Sequence, residues 1–363
     1  MTSLLETPPA PEFDEEPHMA RIAGAPISWG VCEVPGWGPM LDANRVLREL
    51  TSLGLYAIEL GAAGFFPDDP IEVKALLDSY GVEMIGGFVP VVLHDEAWAD
   101  RTRAEIDRVS RHLAAAGGTW FITAVVVDPD WSPRYELSDA EWDHMAMMFS
   151  EIDRIAGQYG LQQAVHPHVG TLVETASDVQ RVLDMSDVGW CLDIAHLSVG
   201  GYDPVAFVRN YPERVKHVHL KDVNFSVAAR LNAGELTLKE AVFEGMFCTL
   251  GAGEVDVVGT IDALEASGFD GWYVLEQDTS IEGDVPAEGF WPGRGCCGQP
   301  CVRATRRCGV ARSPYELDPP VASPCARRQH RRISAHRWRT AVVWDRGHQP
   351  ASWRNTLVGN RHP

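Results

Sequence analysis

Acidic residues and histidines stand at the ends of several short apolar runs in the second half of this 363-residue chain. The four that matter most are His166, Asp193, His219 and Glu276. Imidazole and carboxylate groups together suit Mn²⁺, Co²⁺, Fe²⁺ or Zn²⁺. If the runs are strands of one barrel, their ends meet at one rim, and the sequence predicts a divalent metal site there. A polar rim that binds no metal is the simpler alternative.

Other polar residues close the remaining apolar runs or lie just beyond them: Trp29, Glu33, Glu59, His94, His168, His196, Lys221 and Asp278. His217 and His219 alternate with Val218, so both imidazoles should point to the same side of one strand. We expect His219 to be exposed at the rim. His217 lies deeper, and we expect it to pack or to support its neighbour.

The elements that must position these residues follow a regular rhythm. Apolar runs rich in β-branched and aromatic residues, typical of strands buried on both faces, alternate with amphipathic stretches that mostly end at glycine. About eight such units fall between Ile22 and Glu276. This number favours a closed (β/α)8 TIM barrel over an open doubly wound sheet. An open sheet would usually carry a glycine-rich phosphate turn after its first strand, and Ser28–Gly30 is no such turn.

Charge and cysteine content divide the chain into a body and a tail. The net charge is −20, yet residues 290–363 hold 14 arginines and 3 acidic residues, which leaves −31 for residues 1–289. So acidic a body disfavours nucleic acid as a partner. The N-terminus lacks the pattern of a signal peptide, and no apolar run reaches the length of a membrane span. We therefore expect a cytoplasmic protein acting on a small molecule; the sequence leaves open whether it forms a homo-oligomer.

The two ends of the chain break the rhythm. Residues 1–20 are rich in Pro and Glu and are predicted to be a disordered leader, followed by the barrel domain over residues 21–289. Residues 290–363 contain five of the eight cysteines but no paired-cysteine zinc spacing. They are predicted to be an irregular, disordered tail of non-native composition, as a GC-rich gene read in a shifted frame would give. In that case the eighth helix of the barrel is missing or replaced.

Five segments resemble the xylose isomerase-like TIM barrels of sugar isomerases and epimerases, and in particular the inosose dehydratase branch of that family. The resemblance extends from about Arg21 to Asp284. The segments are Ala25–Trp29, Glu59–Gly61, His166–Thr171, Leu192–His196 and His217–Asp222.

The resemblance implies roles for single residues. The family's metal ligands correspond to Asp193, His219 and Glu276, and His166 stands where many epimerases have a fourth, glutamate ligand. Mn²⁺ or Co²⁺ is the favoured ion, with Zn²⁺, Fe²⁺ or Mg²⁺ as alternatives. The residues expected to bind substrate are Trp29, Glu59, His168, His196 and Lys221. A structural lysine held by salt bridges is the equal alternative for Lys221.

A dehydratase reaction follows from this resemblance. A metal-bound ketone would lose its α-proton to Glu276 or His166, giving a metal-bound enediolate, and Lys221 or His196 would protonate the departing hydroxyl. The implied reaction is dehydration of 2-keto-myo-inositol. A sugar isomerase or epimerase with the same site is the first alternative. An inactive paralogue or a ligand-binding protein is the second.

Overall fold

The computed structural model describes residues 19–281 together with 333–334. The strands within these residues are β1 (Met19–Gly24), β2 (Ala57–Glu59), β3 (Glu83–Val91), β4 (Trp120–Val125), β5 (Gln162–Val165), β6 (Trp190–Asp193), β7 (Val215–Leu220), β8 (Asp222–Val223), β9 (Phe247–Cys248), β10 (Trp272–Leu275) and β11 (Ile333–Ser334).

Eight of these strands close into a parallel barrel. Strands β1 to β7 pair in chain order, β10 pairs with β7, and the sheet closes where β10 pairs with β1 from Arg21↔Trp272 to Gly24↔Leu275. The predicted (β/α)8 barrel is confirmed. Parallel strands of a closed barrel all end at the same rim, and the polar residues that follow them are therefore brought together.

The helices of the described residues are α1 (Ala43–Ser52), α2 (Pro70–Tyr80), α3 (Ala99–Ala116), α4 (Asp139–Gly157), α5 (Ala176–Met185), α6 (Ile194–Val199), α7 (Pro204–Asn210), α8 (Phe225–Asn232), α9 (Leu238–Phe243) and α10 (Val257–Ala266). Their ends follow local chemistry. Ser138 and Glu141 form a capping box at the start of α4, and Gly81 ends α2 with a positive φ of 67°. Buried side chains of the long helices, such as Leu113 of α3 and Phe149 of α4, belong to the same apolar core as the strands.

Two segments differ from the sequence-based expectation. The apolar run from Ile22 to Trp29 is the first strand expected from the sequence, but it is a strand only as far as Gly24. Pro26–Trp29 forms a 3₁₀ helix, because the proline at its first position cannot donate a hydrogen bond to a neighbouring strand. Helix α6 follows β6 without a loop, since the Asp193 side chain caps it. Periodicity could not show so short a helix.

The long segment between β7 and α10, an insertion into the β-then-α rhythm, is folded. It contains β8, α8, α9 and β9, and the two short strands pair antiparallel. Asp222, at 1% exposed, ties the insertion to the barrel, because its carboxylate accepts N–H bonds from Val223, Gly251, Gly253 and Val255 at 2.8–3.1 Å. A Cβ at Gly253 would lie 2.2 Å from Asp222 Oδ1, so only glycine permits this approach.

The predicted ends of the chain fall mostly outside the described residues. Strand β1 begins at Met19, two residues before the predicted start of the barrel. The remainder of the leader, and the tail at 290–363 apart from β11, lie outside the described residues, as does the segment that would hold an eighth helix. Among the described helices, none combines the length and the apolar character needed to cross a membrane.

Candidate metal centre

Four ligand-type side chains converge at the carboxyl end of the barrel. His219 Nδ1 lies 3.1 Å from His166 Nε2, 3.1 Å from Glu276 Oε2 and 3.7 Å from Asp193 Oδ2. His166 Nε2 lies 3.6 Å from the same Asp193 oxygen. The four atoms lie within 4.8 Å of one another, so a single ion could contact all of them. The cluster contains each of the residues predicted as metal ligands.

Consecutive elements hold the four side chains. His166 directly follows β5, Asp193 is the last residue of β6, His219 is in β7, and Glu276 directly follows β10. The two carboxylate oxygens of Asp193 face different partners. Oδ1 accepts N–H bonds from Ala195 and His196 at 2.8 and 2.9 Å and so caps α6. Its Oδ2 is thereby left pointing into the cluster.

The cluster fits a divalent ion. Asp193 Oδ2 is buried and faces three nitrogens: Lys221 Nζ at 3.2 Å, His166 Nε2 at 3.6 Å and His219 Nδ1 at 3.7 Å. Its negative charge therefore lies where the ligand atoms of the cluster converge, and a buried charge of this kind is stable only beside cations. Two imidazole nitrogens that face one another at 3.1 Å need either a shared proton or a metal. Two nitrogen and two carboxylate donors suit Mn²⁺, Co²⁺, Fe²⁺ or Zn²⁺ better than Mg²⁺, which prefers oxygen.

Lys221 is a buried cation beside the cluster. Its Nζ lies 3.2 Å from Asp193 Oδ2, 3.0 Å from Glu276 Oε2 and 2.7 Å from Asp278 Oδ1, while the residue is only 2% exposed. Burial alone would lower the pKa of Lys221, but the carboxylates of Asp193, Asp278 and Glu276 raise it well above its ordinary value. Lys221 therefore carries a proton at neutral pH.

His196 and His168 lie one layer further out. The His196 ring is buried, and its centroid lies 3.8 Å from that of the His168 ring. His196 Nε2 is 3.1 Å from Lys221 Nζ. Burial, and then the charge of Lys221, hold the pKa of His196 well below its ordinary value. His168, His196 and Asp278 could also surround an ion, but the Lys221 ammonium already contacts two of them.

Glu59 and His217 support the cluster from inside the barrel. Glu59 Oε1 accepts hydrogen bonds from His217 Nε2 at 2.8 Å and from His219 Nε2 at 3.0 Å. Burial would raise the pKa of Glu59, but His219 and His217 hold it far below its usual range. The prediction that His219 is exposed is wrong, because both histidines are at most 1% exposed. The barrel encloses both histidines, and His219 is the one that contributes to the cavity wall.

A cavity above the cluster holds about 590 Å³ of open space, including solvent at its mouth. Its wall combines apolar and aromatic side chains with a few polar groups, as the walls of small-ligand sites do. The predicted site residues that line it are Glu59, His166, His168, His219, Lys221 and Glu276. Asp193 and His196 lie behind this wall. Trp29 is 2% exposed, and its indole N–H donates to Glu49 at 2.8 Å instead of facing the cavity.

The cavity also has walls that the sequence did not assign. Phe88 and Trp131 form an aromatic side, with ring centroids 6.4 Å apart, and Asp278 and Glu33 add carboxyl groups. Both acids were among the polar residues noted at or beyond the apolar runs, but no role was predicted for either. Nothing in the local pattern of Phe88, inside β3, distinguishes a cavity residue from a core residue.

Glu33 should make stability depend on pH. Burial, and then the charges of Glu276, Glu59 and Asp278, raise the pKa of Glu33 from 4.5 to about 8. Between these values the unfolded chain releases this proton while the folded protein keeps it, so folding stability falls as pH rises from 4.5 to 8. Glu33→Gln should remove this loss. Allowing for solvent screening, we expect its Tm to exceed that of the parent by about 2–4 °C at pH 8.

Thermal melts of both proteins from pH 4 to pH 9 measure this difference. Glu72→Gln, on the exposed first turn of α2, is the matched control for the loss of one negative charge. A Tm difference that stays constant across the series would show that Glu33 ionises at the same pH in both states.

Comparisons with known proteins agree with this architecture. The model of the xylose isomerase-like TIM barrel family matches residues 47–290. An inosose dehydratase of Geobacillus kaustophilus is 31% identical over 275 residues, which cover 72% of this chain and 89% of that protein. The rhizopine catabolism protein MocC of Rhizobium meliloti is 30% identical over 281 residues, covering 74% and 85%.

Solved structures show the same fold. The IOLI protein with a bound zinc atom has a TM-score of 0.57 at 15% identity, covering 71% of this chain and 89% of that one. An L-ribulose 3-epimerase has a TM-score of 0.55 at 17% identity, covering 72% and 82%. At identities this low, the structural likeness supports the barrel fold alone. The chemistry of the present chain depends on its own residues.

Proposed function

The chain belongs to the xylose isomerase-like TIM barrel family, and we propose that it is a metal-dependent hydro-lyase that removes water from a polyol ketone, with 2-keto-myo-inositol as substrate. The single observation that carries the proposal is the position of Lys221. A buried, protonated ammonium lies 3.0 Å from Glu276 Oε2, at the edge of the candidate metal cluster and in the cavity wall. The similarity to inosose dehydratases supports the same reaction.

The cluster of His166, Asp193, His219 and Glu276 would hold the ion. A divalent ion there would supply Lewis acidity towards the ketone oxygen and so make the neighbouring C–H more acidic. The protein residues must then move one proton from carbon and deliver another to oxygen.

Glu276 is our choice for the base that removes the α-proton. It lines the cavity, and interactions with His219 and Lys221 outweigh burial and lower its pKa, so it is ionised at neutral pH. His166 also lines the cavity and is the alternative base. As the C–H bond breaks, its electron pair forms the new C=C bond, and the C–O bond of the β-hydroxyl breaks.

Lys221 supplies the proton with which that hydroxyl leaves as water. His196, the other residue predicted for this step, lies behind the cavity wall and is held uncharged, so it is poorly placed to donate. Because Lys221 and Glu276 are neighbours, hydrogen and hydroxyl would leave from the same face of the ring. The proton that Glu276 gains can pass to Lys221 over 3.0 Å and reset the site.

An epimerase with the same barrel would instead return a proton to carbon. It needs a second base on the opposite face of the substrate and has no use for an acid aimed at a leaving hydroxyl. Two features favour elimination: the fourth ligand position holds His166 and not a carboxylate, and the lysine Lys221 is buried beside the cluster.

Turnover of 2-keto-myo-inositol by the Mn²⁺- or Co²⁺-loaded protein tests the proposal. We expect loss of water and a dione that absorbs in the ultraviolet, with no turnover after chelation. A change in stereochemistry without ultraviolet absorption would indicate an epimerase instead. Tight binding of the ketone without any product would indicate a binding protein or an inactive paralogue.

A further inference from the structure

Glu59 and two histidines form a buried clamp across the interior of the barrel. Glu59 ends β2, whereas His217 and His219 lie in β7, and β1 and β10 separate these strands in the sheet. The Glu59 side chain therefore crosses the barrel to reach its partners. One oxygen, Oε1, serves both imidazoles at 2.8 and 3.0 Å, and none of the three residues exceeds 2% exposure.

The clamp determines which nitrogen of His219 faces the candidate metal cluster. An ionised carboxylate can only accept hydrogen bonds, so Nε2 of each histidine must carry the hydrogen that it donates to Glu59. In neutral His219 the free lone pair then lies on Nδ1. This is the nitrogen that lies 3.1 Å from both His166 Nε2 and Glu276 Oε2.

His217 makes the clamp rigid. The β7 strand alternates, so His217 and His219 face the same side, with ring centroids 5.4 Å apart. Their two donors fix Glu59 Oε1 from two directions, which leaves the carboxylate little freedom to turn toward a ligand. Glu59 was predicted to bind substrate and does line the cavity, but its Oε1 is already bonded to His217 and His219.

We propose that Glu59 is a positioning residue that acts through His219. It fixes the Nε2–H tautomer, presents the Nδ1 lone pair to the metal and makes Nδ1 a stronger electron-pair donor to the metal. This inference rests on the metal site of the proposed function. A carboxylate bonded to the far nitrogen of a metal-bound histidine orients the ring and raises its basicity, and loss of such a partner typically weakens metal binding 10- to 100-fold.

A second metal ion is the competing explanation of the same residues. Glu59, His217 and His219 also offer ligand atoms within 4.8 Å of one another. However, the contacts of 2.8 and 3.0 Å are ordinary hydrogen bonds, and both converge on one oxygen. The clamp therefore predicts one ion per chain, and a second ion here would predict two.

Titration of the full-length, metal-free chain with Co²⁺ separates these cases. For Glu59→Gln we expect one Co²⁺ per chain, as in the parent protein, a 10- to 100-fold higher Kd, and a changed visible spectrum because the His219 donor is weaker. Glu49→Gln is the matched control, since Glu49 accepts the Trp29 indole N–H away from the cavity and its loss should leave Co²⁺ affinity unchanged.

Each other result overturns the inference in a distinct way. Unchanged Co²⁺ affinity and spectrum in Glu59→Gln would overturn the clamp while the proposed function stands. A stoichiometry that falls from two to one would make Glu59 a ligand of a second ion. Absence of Co²⁺ binding by the parent protein would remove the proposed function as well.

A second variant covers failure of Glu59→Gln to fold. His217→Gln keeps the charge of Glu59 and loosens only its orientation. We expect a smaller rise in the Co²⁺ Kd, below about tenfold, with one ion still bound. An affinity equal to that of the parent would contradict the proposal.

Discussion

Asp193→Asn is expected to reduce kcat/KM for the ketone by about 10³-fold or more and to abolish tight metal binding. The substitution removes the negative charge at Oδ2, the carboxylate oxygen that faces His166, His219 and Lys221 in the cluster. Metal stabilisation of developing charge contributes several kcal/mol, and about 4 kcal/mol corresponds to a thousandfold in rate. Kinetics with saturating Mn²⁺, together with a Co²⁺ titration, measure both effects.

The fold should survive this change, because asparagine also caps helices and can replace Oδ1 at the start of α6. Asp203→Asn is the matched control: Asp203 caps α7 in the same way, at 2.9 Å from the Val205 nitrogen, and lies outside the cavity. If Asp193→Asn kept its metal and its full turnover, the assignment of the metal site would be wrong.

Lys221→Met is expected to separate activity from metal binding. Removal of a proton donor typically costs 10²- to 10⁴-fold in rate, so kcat should fall by about that factor while Co²⁺ still binds. The metal-free protein should also lose about 3–5 kcal/mol of stability, because Asp193, Glu276 and Asp278 would lose their shared buried counter-ion. This corresponds to a Tm lower by roughly 6–20 °C.

Metal should restore much of that loss, since a divalent cation neutralises two of the same carboxylates. Calorimetry with and without Mn²⁺, alongside kinetics, tests both parts. Lys216→Met, on an exposed position of the same strand, is the control for loss of a lysine. Normal turnover in Lys221→Met would make this lysine a structural counter-ion and would remove it from the reaction.

The barrel could be predicted from sequence because its strands are buried on both faces. Strands such as Trp120–Val125 are nearly continuous apolar runs, and helices such as Pro70–Tyr80 lie between a proline and a glycine, so the local sequence leaves little choice. The bounds of helix α6 and of the elements in the insertion between β7 and α10 could not be predicted from local sequence. Their positions depend on the Asp193 cap and the Asp222 carboxylate, which act through tertiary contacts.

The candidate site was predictable as a group and less so residue by residue. Strand ends located Asp193, His219 and Glu276 at one rim, because parallel topology alone brings them there. Trp29 lies outside the cavity because the 3₁₀ turn after β1 points its indole toward Glu49. The bond from Glu59 to His219 spans 160 residues, and no local pattern encodes a contact across the barrel.

The double use of Asp193 has an evolutionary consequence. The helix cap alone could be supplied by Asn, Ser or Thr as well as by Asp. The second carboxylate oxygen matters to the partners of Oδ2, which are the buried Lys221 ammonium and, in our proposal, the metal ion. A descendant that lost both the metal and this lysine would be free to drift to those residues. We therefore expect aspartate at position 193 wherever the proposed site is still in use.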